Sequence, residues 1–372
     1  MRSVNLRVFR ICVLACLLFS EKKTSGAAIP DVIAKAIQQN AAQLSPLEIS
    51  WTSTFSSSFT PDELRSAAKI DPKIAHIFSD KTIATVIWQD GKIYTYRLSE
   101  PRGRITEATS DGRVAYMGAK AVTPDTHDRP RLSKTLLATL ASNQPKSVPV
   151  SADYFQITGL ELANRAEDLA KCDSARSRIV SDLAAGASAL SVTEVNLDGQ
   201  ETTRVELEED NQIYVNAQKT DLTTLADELR NDGESEQEIA DGIQAARLEK
   251  ALPAKVRKIF FLDPKMNYAM RRYERRYPDG RLLELTTASD FSRVVDRPLW
   301  LPQNGVREMF VWSTVPDRVF EKPVMIEAFA VTKMATDRVA SDTFVLSYTA
   351  PGTQIADETG PTPLQYEVPA SK

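Results

Sequence analysis

The side chains able to do chemistry are few, and their spacing does not suit it. Two histidines are present, His76 and His127. Neither has a metal-ligand partner at short spacing, and no His-Glu-x-x-His or cysteine pair occurs. His76, in Lys73-Ile-Ala-His-Ile-Phe78, reads as a helix-surface or interface residue. Cys172 is the one cysteine beyond position 16, and a lone, partly buried thiol accounts for it. No Gly-x-Ser-x-Gly elbow, phosphate loop or dinucleotide fingerprint appears. With 14 glycines in 372 residues the chain has little material for such loops. Carboxylates are abundant, which leaves a paired-carboxylate hydrolase open, yet none stands out from a solvated background. No cofactor is implied.

One stretch carries binding chemistry: Tyr268-Ala-Met-Arg-Arg-Tyr-Glu-Arg-Arg-Tyr277. Interleaved Arg and Tyr suit phosphate or single-stranded nucleic acid. On a strand, however, Arg272, Glu274 and Arg276 share one face, and Arg271, Tyr273 and Arg275 the other. Cross-strand pairing with acidic neighbours such as Glu284 explains the pattern without a ligand. A lipid head group or an anionic partner is the alternative.

The elements that must position these residues are mostly strands. Pro30 to Leu44 has helical spacing, with Pro at the start. Leu47, Ile49, Trp51 and Phe55 alternate with polar residues as in a half-buried strand, and Thr60-Pro61-Asp62-Glu63 is a capping box. Asp-Gly turns then separate β-rich runs again and again. Asp90-Gly91 lies between Thr82–Trp88 and Lys92–Arg97; Asp111-Gly112 between Arg104–Thr109 and Arg113–Met117. Asp198-Gly199 lies between Leu190–Leu197 and Glu201–Glu208; Asp279-Gly280 between Tyr268–Tyr277 and Arg281–Thr287. Further runs are Val306–Trp312, Val324–Thr332 and Thr343–Thr349. Hairpins without strand–helix alternation predict an antiparallel sheet and an α+β fold. Helical turns are expected around Leu132–Leu140 and Gly159–Ala170. An acidic helical insertion of two helices is expected over 221–252, and a disordered, Pro-containing tail over 353–372.

The first 28 residues read as a secretory signal. Arg2, Arg7 and Arg10 form a basic head, Ile11–Phe19 a short apolar run, and Gly26-Ala27-Ala28 a small-residue cleavage site. The run is too short to span a bilayer, which takes roughly 20 residues. Cleavage is expected after Ala28. Val13-Leu14-Ala15-Cys16 loosely resembles a lipobox, but the apolar run continues past Cys16, which argues against a lipid anchor there. The expectation is therefore one domain over 29–352, exported to the periplasm or cell envelope and soluble. The formal net charge is −4, and losing a leader with five Lys/Arg makes the rest more acidic. Export and an acidic surface together argue against nucleic acid as a partner.

Trp88-Gln-Asp-Gly-Lys-Ile-Tyr94, Phe261-Leu-Asp-Pro-Lys-Met-Asn-Tyr268 and Leu299-Trp-Leu-Pro302, following a leader and an N-terminal helix, resemble exported bacterial proteins of the lipoprotein-carrier (outer-membrane lipoprotein-sorting) superfamily. The similarity is clearest over 256–312. It implies a strongly curved antiparallel β-sheet, an incomplete barrel packed over helices, enclosing an apolar cleft that can hold acyl chains. The chain is longer than a minimal carrier, and no functional residue is carried over. The leading expectation is a non-enzymatic protein binding an apolar or amphipathic ligand, a lipid or an acylated protein, in the concave face. Trp51, Phe55, Trp88, Tyr94 and Tyr96 are the candidate lining residues, with filling of the sheet–helix core as their structural alternative. Two other readings stay open: an envelope interaction protein whose helical arm docks a partner, with contact to a membrane surface, and an envelope hydrolase using two carboxylates.

Overall fold

A computed structural model describes residues 29–68, 70, 78–100, 103–111, 113–121, 130–136, 153–161, 176–312, 315, 317–360 and 362–369. The leader with Cys16 and Ala28, Gly112, His76, His127 and Cys172 lie outside them. Helix α1 (Asp31–Ala42) starts after Pro30 and buries Ile33, Ala36, Ile37, Asn40 and Ala41. Strand β1 (Leu47–Ser56) leads to α2 (Pro61–Ala67), whose capping box is formed by Thr60 and Glu63. The strands β2 (Lys81–Gln89), β3 (Lys92–Glu100), β4 (Arg104–Ser110), β5 (Val114–Ala121) and β6 (Arg131–Leu136) complete a first antiparallel meander. Asp90 and Gly91 have φ of 51° and 75°, the two positive angles of a type I′ turn.

A 3-10 turn (Asp153–Ile157), the short pair β7 (Leu160–Glu161) and β8 (Arg176–Ser177), and α3 (Arg178–Ala184) follow. Then come β9 (Ser188–Leu197), β10 (Gln200–Asp210), and three helices, α4 (Gln212–Lys219), α5 (Leu222–Asn231) and α6 (Glu236–Lys250). The second meander continues through β11 (Lys255–Asp263), β12 (Ala269–Arg276), β13 (Leu282–Arg293), β14 (Trp300–Met309) and β15 (Met325–Ala335). Pairing of β1 with β15 joins the two meanders into one curved, unclosed sheet of 15 strands. The fold is α+β, as the hairpin grammar predicted.

Five expectations need correction. The helical region between β10 and β11 begins at Gln212 and has three helices rather than two. Residues 131–136 pair with β5 as a strand instead of turning as a helix; residues 137–140 lie outside the described set. Gly159 leads straight into β7, with 162–170 outside that set. Thr343–Thr349 is not a strand: Ser341–Phe344 is a 3-10 turn. The tail is not a loose end either. Residues Gln354–Glu358 form β16, parallel to β6, and Leu364–Glu367 form β17 at the sheet's edge. Ile355 is buried against Leu132, Tyr116 and Leu346. That docking lies more than 200 residues away in sequence, so no local period announced it.

The segment between β15 and β16 crosses the face of β3–β5 and is fastened there. The Tyr348 hydroxyl donates to Glu107 Oε2 at 2.6 Å and the Tyr94 hydroxyl to Oε1 at 2.9 Å. Lys120 Nζ stands 3.0 Å from the same carboxylate. Burial pushes the Glu107 carboxyl up, but the Tyr348, Lys120 and Tyr94 donors outweigh it and hold it below the usual range. A Cβ at Gly118 would collide with the Tyr348 hydroxyl, so this strand position needs glycine for a close approach rather than for its φ.

Candidate ligand site

The two-residue turn at Asp90-Gly91 sets the register of β2 on β3, and with it the fate of the candidate aromatics. Trp88 pairs with Ile93, so Tyr94 stands opposite Ile87 and Tyr96 opposite Thr85. Tyr94 and Tyr96 therefore face away from Trp88. Trp51 and Trp88 share the inner face, the one packed against α1 and the 3-10 turn, and both are 0 % exposed. Trp51 lies 5.6 Å from Tyr154, centroid to centroid, and the Tyr154 hydroxyl donates to the Pro302 carbonyl at 2.7 Å. Leu44, Leu47, Ile93, Phe155, Ile157 and Leu301 belong to the same cluster. Phe55 is half-buried on the same inner face, opposite Glu327. The structure thus puts three of the five on one face, only Trp51 and Trp88 of them in one cluster, and leaves two on the other side. Trp51 and Trp88 fill the core.

The segments that carried the sequence resemblance hold α1 and the 3-10 turn on the sheet. Asp263, 2 % exposed, accepts from Arg271 Nε at 2.6 Å. Asn267, at φ 53°, donates through Nδ2 to Asn40 Oδ1 at 2.6 Å. Asn40 Nδ2 in turn donates to the Asn267 carbonyl at 2.7 Å.

Further along the inner face the register lines up a polar row: Phe260, Tyr273, Thr286, Arg307, Glu327 and Phe55. The next row runs Lys258, Arg275, Glu284 and Met309. Arg307 Nε donates to Glu284 Oε1 at 2.8 Å. Lys258 Nζ lies 2.7 Å from Asp182 on α3 and 2.8 Å from Glu209. The Arg178 guanidinium stacks 4.2 Å over Tyr273 and donates to its hydroxyl at 3.2 Å. Burial raises the Glu284 carboxyl, but Arg307, Arg178 and Arg275 outweigh it and hold it below its ordinary value. A hydrolase's general acid needs the opposite shift. Glu284 is an ionised structural carboxylate, and Arg275, opposite it, belongs to the same network. Among the described residues no group of three or more His, Cys, Asp or Glu could hold a metal ion.

The outer face differs in kind. Across β13, β14, β15 and β1 it presents Thr287, Val306, Ala328 and Thr54 in one row, and Ser289, Asn304, Ala330 and Thr52 in the next. Because these side chains are small, they leave a trough of about 370 Å³. Apolar Val306, Ala328 and Ala330 line it together with Thr52, Thr54, Thr287, Ser289 and Asn304, which add hydroxyl and amide groups. Asn304 Nδ2 donates to Asp290 Oδ2 at 2.7 Å along one rim. Sequence reading missed these residues, since isolated Ala and Thr on a strand carry no signal of their own. Only the β1–β15 pairing, over more than 270 residues of separation, brings them together. The alternation of buried Trp51 and Ser53 with Thr52 and Thr54 was the sole trace of an open outer face.

No family model matches the chain, and no curated protein matches it. Solved structures do match. The chain is similar to proteins of the LolA superfamily. A LolA superfamily protein from Nitrosomonas europaea covers 86% of this chain and 99% of its own, at 10% identity and a TM-score of 0.39. A putative outer membrane lipoprotein-sorting protein domain from Vibrio parahaemolyticus covers 84% and 94%, at 10% identity and a TM-score of 0.38. A DUF1329 family protein from Desulfovibrio piger covers 84% and 95%, at 11% identity and a TM-score of 0.38.

Proposed function

We propose that this is an exported, non-enzymatic protein that binds an apolar or amphipathic ligand, with the outer-face trough as its seat. One observation carries the reading: four adjacent strands leave about 370 Å³ open above a mainly apolar surface of short side chains. That volume lies at the lower end of small-molecule sites, about 300–1,000 Å³. An alkyl chain laid there exchanges water for Val306, Ala328 and Ala330, at about 0.8 kcal/mol per fully buried methylene. Acyl chains of a lipid or of an acylated protein belong to that ligand class. Among the described residues, the inner-face cavity beside Ile37, Phe260 and Met270 measures only about 20 Å³. No helix among the described residues is long and apolar enough to cross a membrane. Cleavage after Ala28 would release the protein into the periplasm or envelope, with 29–352 as one domain.

The test fills the trough. Ala328 is half-buried and opens onto the outer-face trough, so Ala328→Trp should fold while obstructing the surface. Fluorescence titration with an acyl-chain probe is expected to show at least about tenfold weaker binding to Ala328→Trp, with an unchanged melting temperature. Equal affinity of the two proteins would remove the trough from the site.

A further inference from the structure

The trough has a charged corner, and it narrows the ligand. This step rests on the trough reading. Thr287, at its β13 edge, has Arg272 of β12 as its direct cross-strand partner on the same face, one strand spacing or about 4.8 Å away. Glu274 accepts from two guanidinium groups, Arg272 at 2.6 Å and Arg276 at 2.7 Å. Arg204 and Arg257 flank Glu206 in the same way. Arg257 also stands 3.7 Å from Glu208, so four guanidinium groups face three carboxylates on β10–β12 beside the trough. The rim at Ser289 and Asn304 has the opposite sign, because Asp290 sits there. At the β1 edge Thr54 pairs with Lys81, whose ammonium lies 3.7 Å from Glu100 with both side chains about half exposed. Such a pair is weak and its lysine mobile. Arg272 is the better-held cation, with its side chain 28% exposed and stacked 5.8 Å from Phe261. Its planar fork matches carboxylate and phosphate oxygens.

We infer that the ligand is a single-chain amphiphile with an anionic head group, placed at Arg272 while the chain crosses the trough toward β1. The Arg/Tyr stretch of β12 thus has two faces with two roles. Arg275 and Tyr273 serve the buried inner network, and Arg272 serves the ligand.

Isothermal titration with dodecanoic acid, dodecyl phosphate and dodecanol tests this. Either anionic probe is expected to bind about tenfold tighter than the alcohol, the stronger of the two identifying the head group. R272Q should bring the anionic probes within about twofold of the alcohol, and R272K should keep part of the preference. K81Q should leave it unchanged. Melting curves of all three variants check folding, and R272K keeps a cation opposite Glu274 if R272Q is destabilised. Alcohol binding as tight as acid binding, or a preference that survives R272Q or disappears in K81Q, overturns the Arg272 assignment while the trough stands. Failure of all three probes to bind overturns the trough reading and this inference with it.

Discussion

Trp88→Ala is expected to destabilise the protein by about 3–5 kcal/mol, the range for a large aromatic removed from a packed core. Trp88 is 0 % exposed. It lies between Leu47 on β1 and Ile93 on β3 by register, and its cluster reaches from α1 to β14. A cavity there has rigid strands on both sides and little freedom to collapse. Tyr94→Phe is the matched control from the opposite face. It removes one hydroxyl bonded to the ionised Glu107, a loss of about 1.5–3 kcal/mol. Urea unfolding of both variants measures the contrast. Similar midpoints would show that Trp88 is not core and would return it to the list of ligand contacts.

The second large effect lies in the ionic rows. Glu284→Ala should cost about 3–5 kcal/mol, because it leaves Arg307, Arg178 and Arg275 facing one another without their carboxylate. Its charge also makes stability depend on pH. The Glu284 carboxyl is held below its ordinary value in the folded protein. Its contribution is therefore present above the unfolded glutamate value of about 4.3, and it is lost as pH falls through the folded value. The stability gap between parent and Glu284→Ala should accordingly be constant near neutrality and shrink in acid. Replacing both partners, Glu284→Met with Arg307→Met, should recover much of the loss. A gap that does not change with pH would show that Glu284 is not the charged partner of Arg307.

Most of the sheet was legible because turns and alternation are local. Asp90-Gly91 and Asp198-Gly199 announced their hairpins, and the inward run Leu47, Ile49 and Trp51 announced β1. The face of Tyr94 was also available in principle. A two-residue turn pairs Gln89 with Lys92 and Trp88 with Ile93, and Tyr94 must then point the other way. Grouping the five aromatics by chemistry concealed that parity. What depended on distant pairing was not legible. Arg131–Leu136 becomes a strand against β5, and Gln354–Glu358 docks in parallel on it. The trough exists only where β1 meets β15, and its Ala and Thr residues signal nothing until four strands are in register.

An acyl chain is expected on the outer face and not among the inner aromatics. Photo-crosslinking with a dodecanoic acid carrying a terminal diazirine, followed by peptide mass spectrometry, locates the chain directly. Labelling of Thr52, Thr54, Val306 and Ala328 is the predicted result, suppressed in Ala328→Trp. Labelling of Trp51, Trp88 or Tyr154 instead would place the chain inside the sheet and remove the trough as its seat.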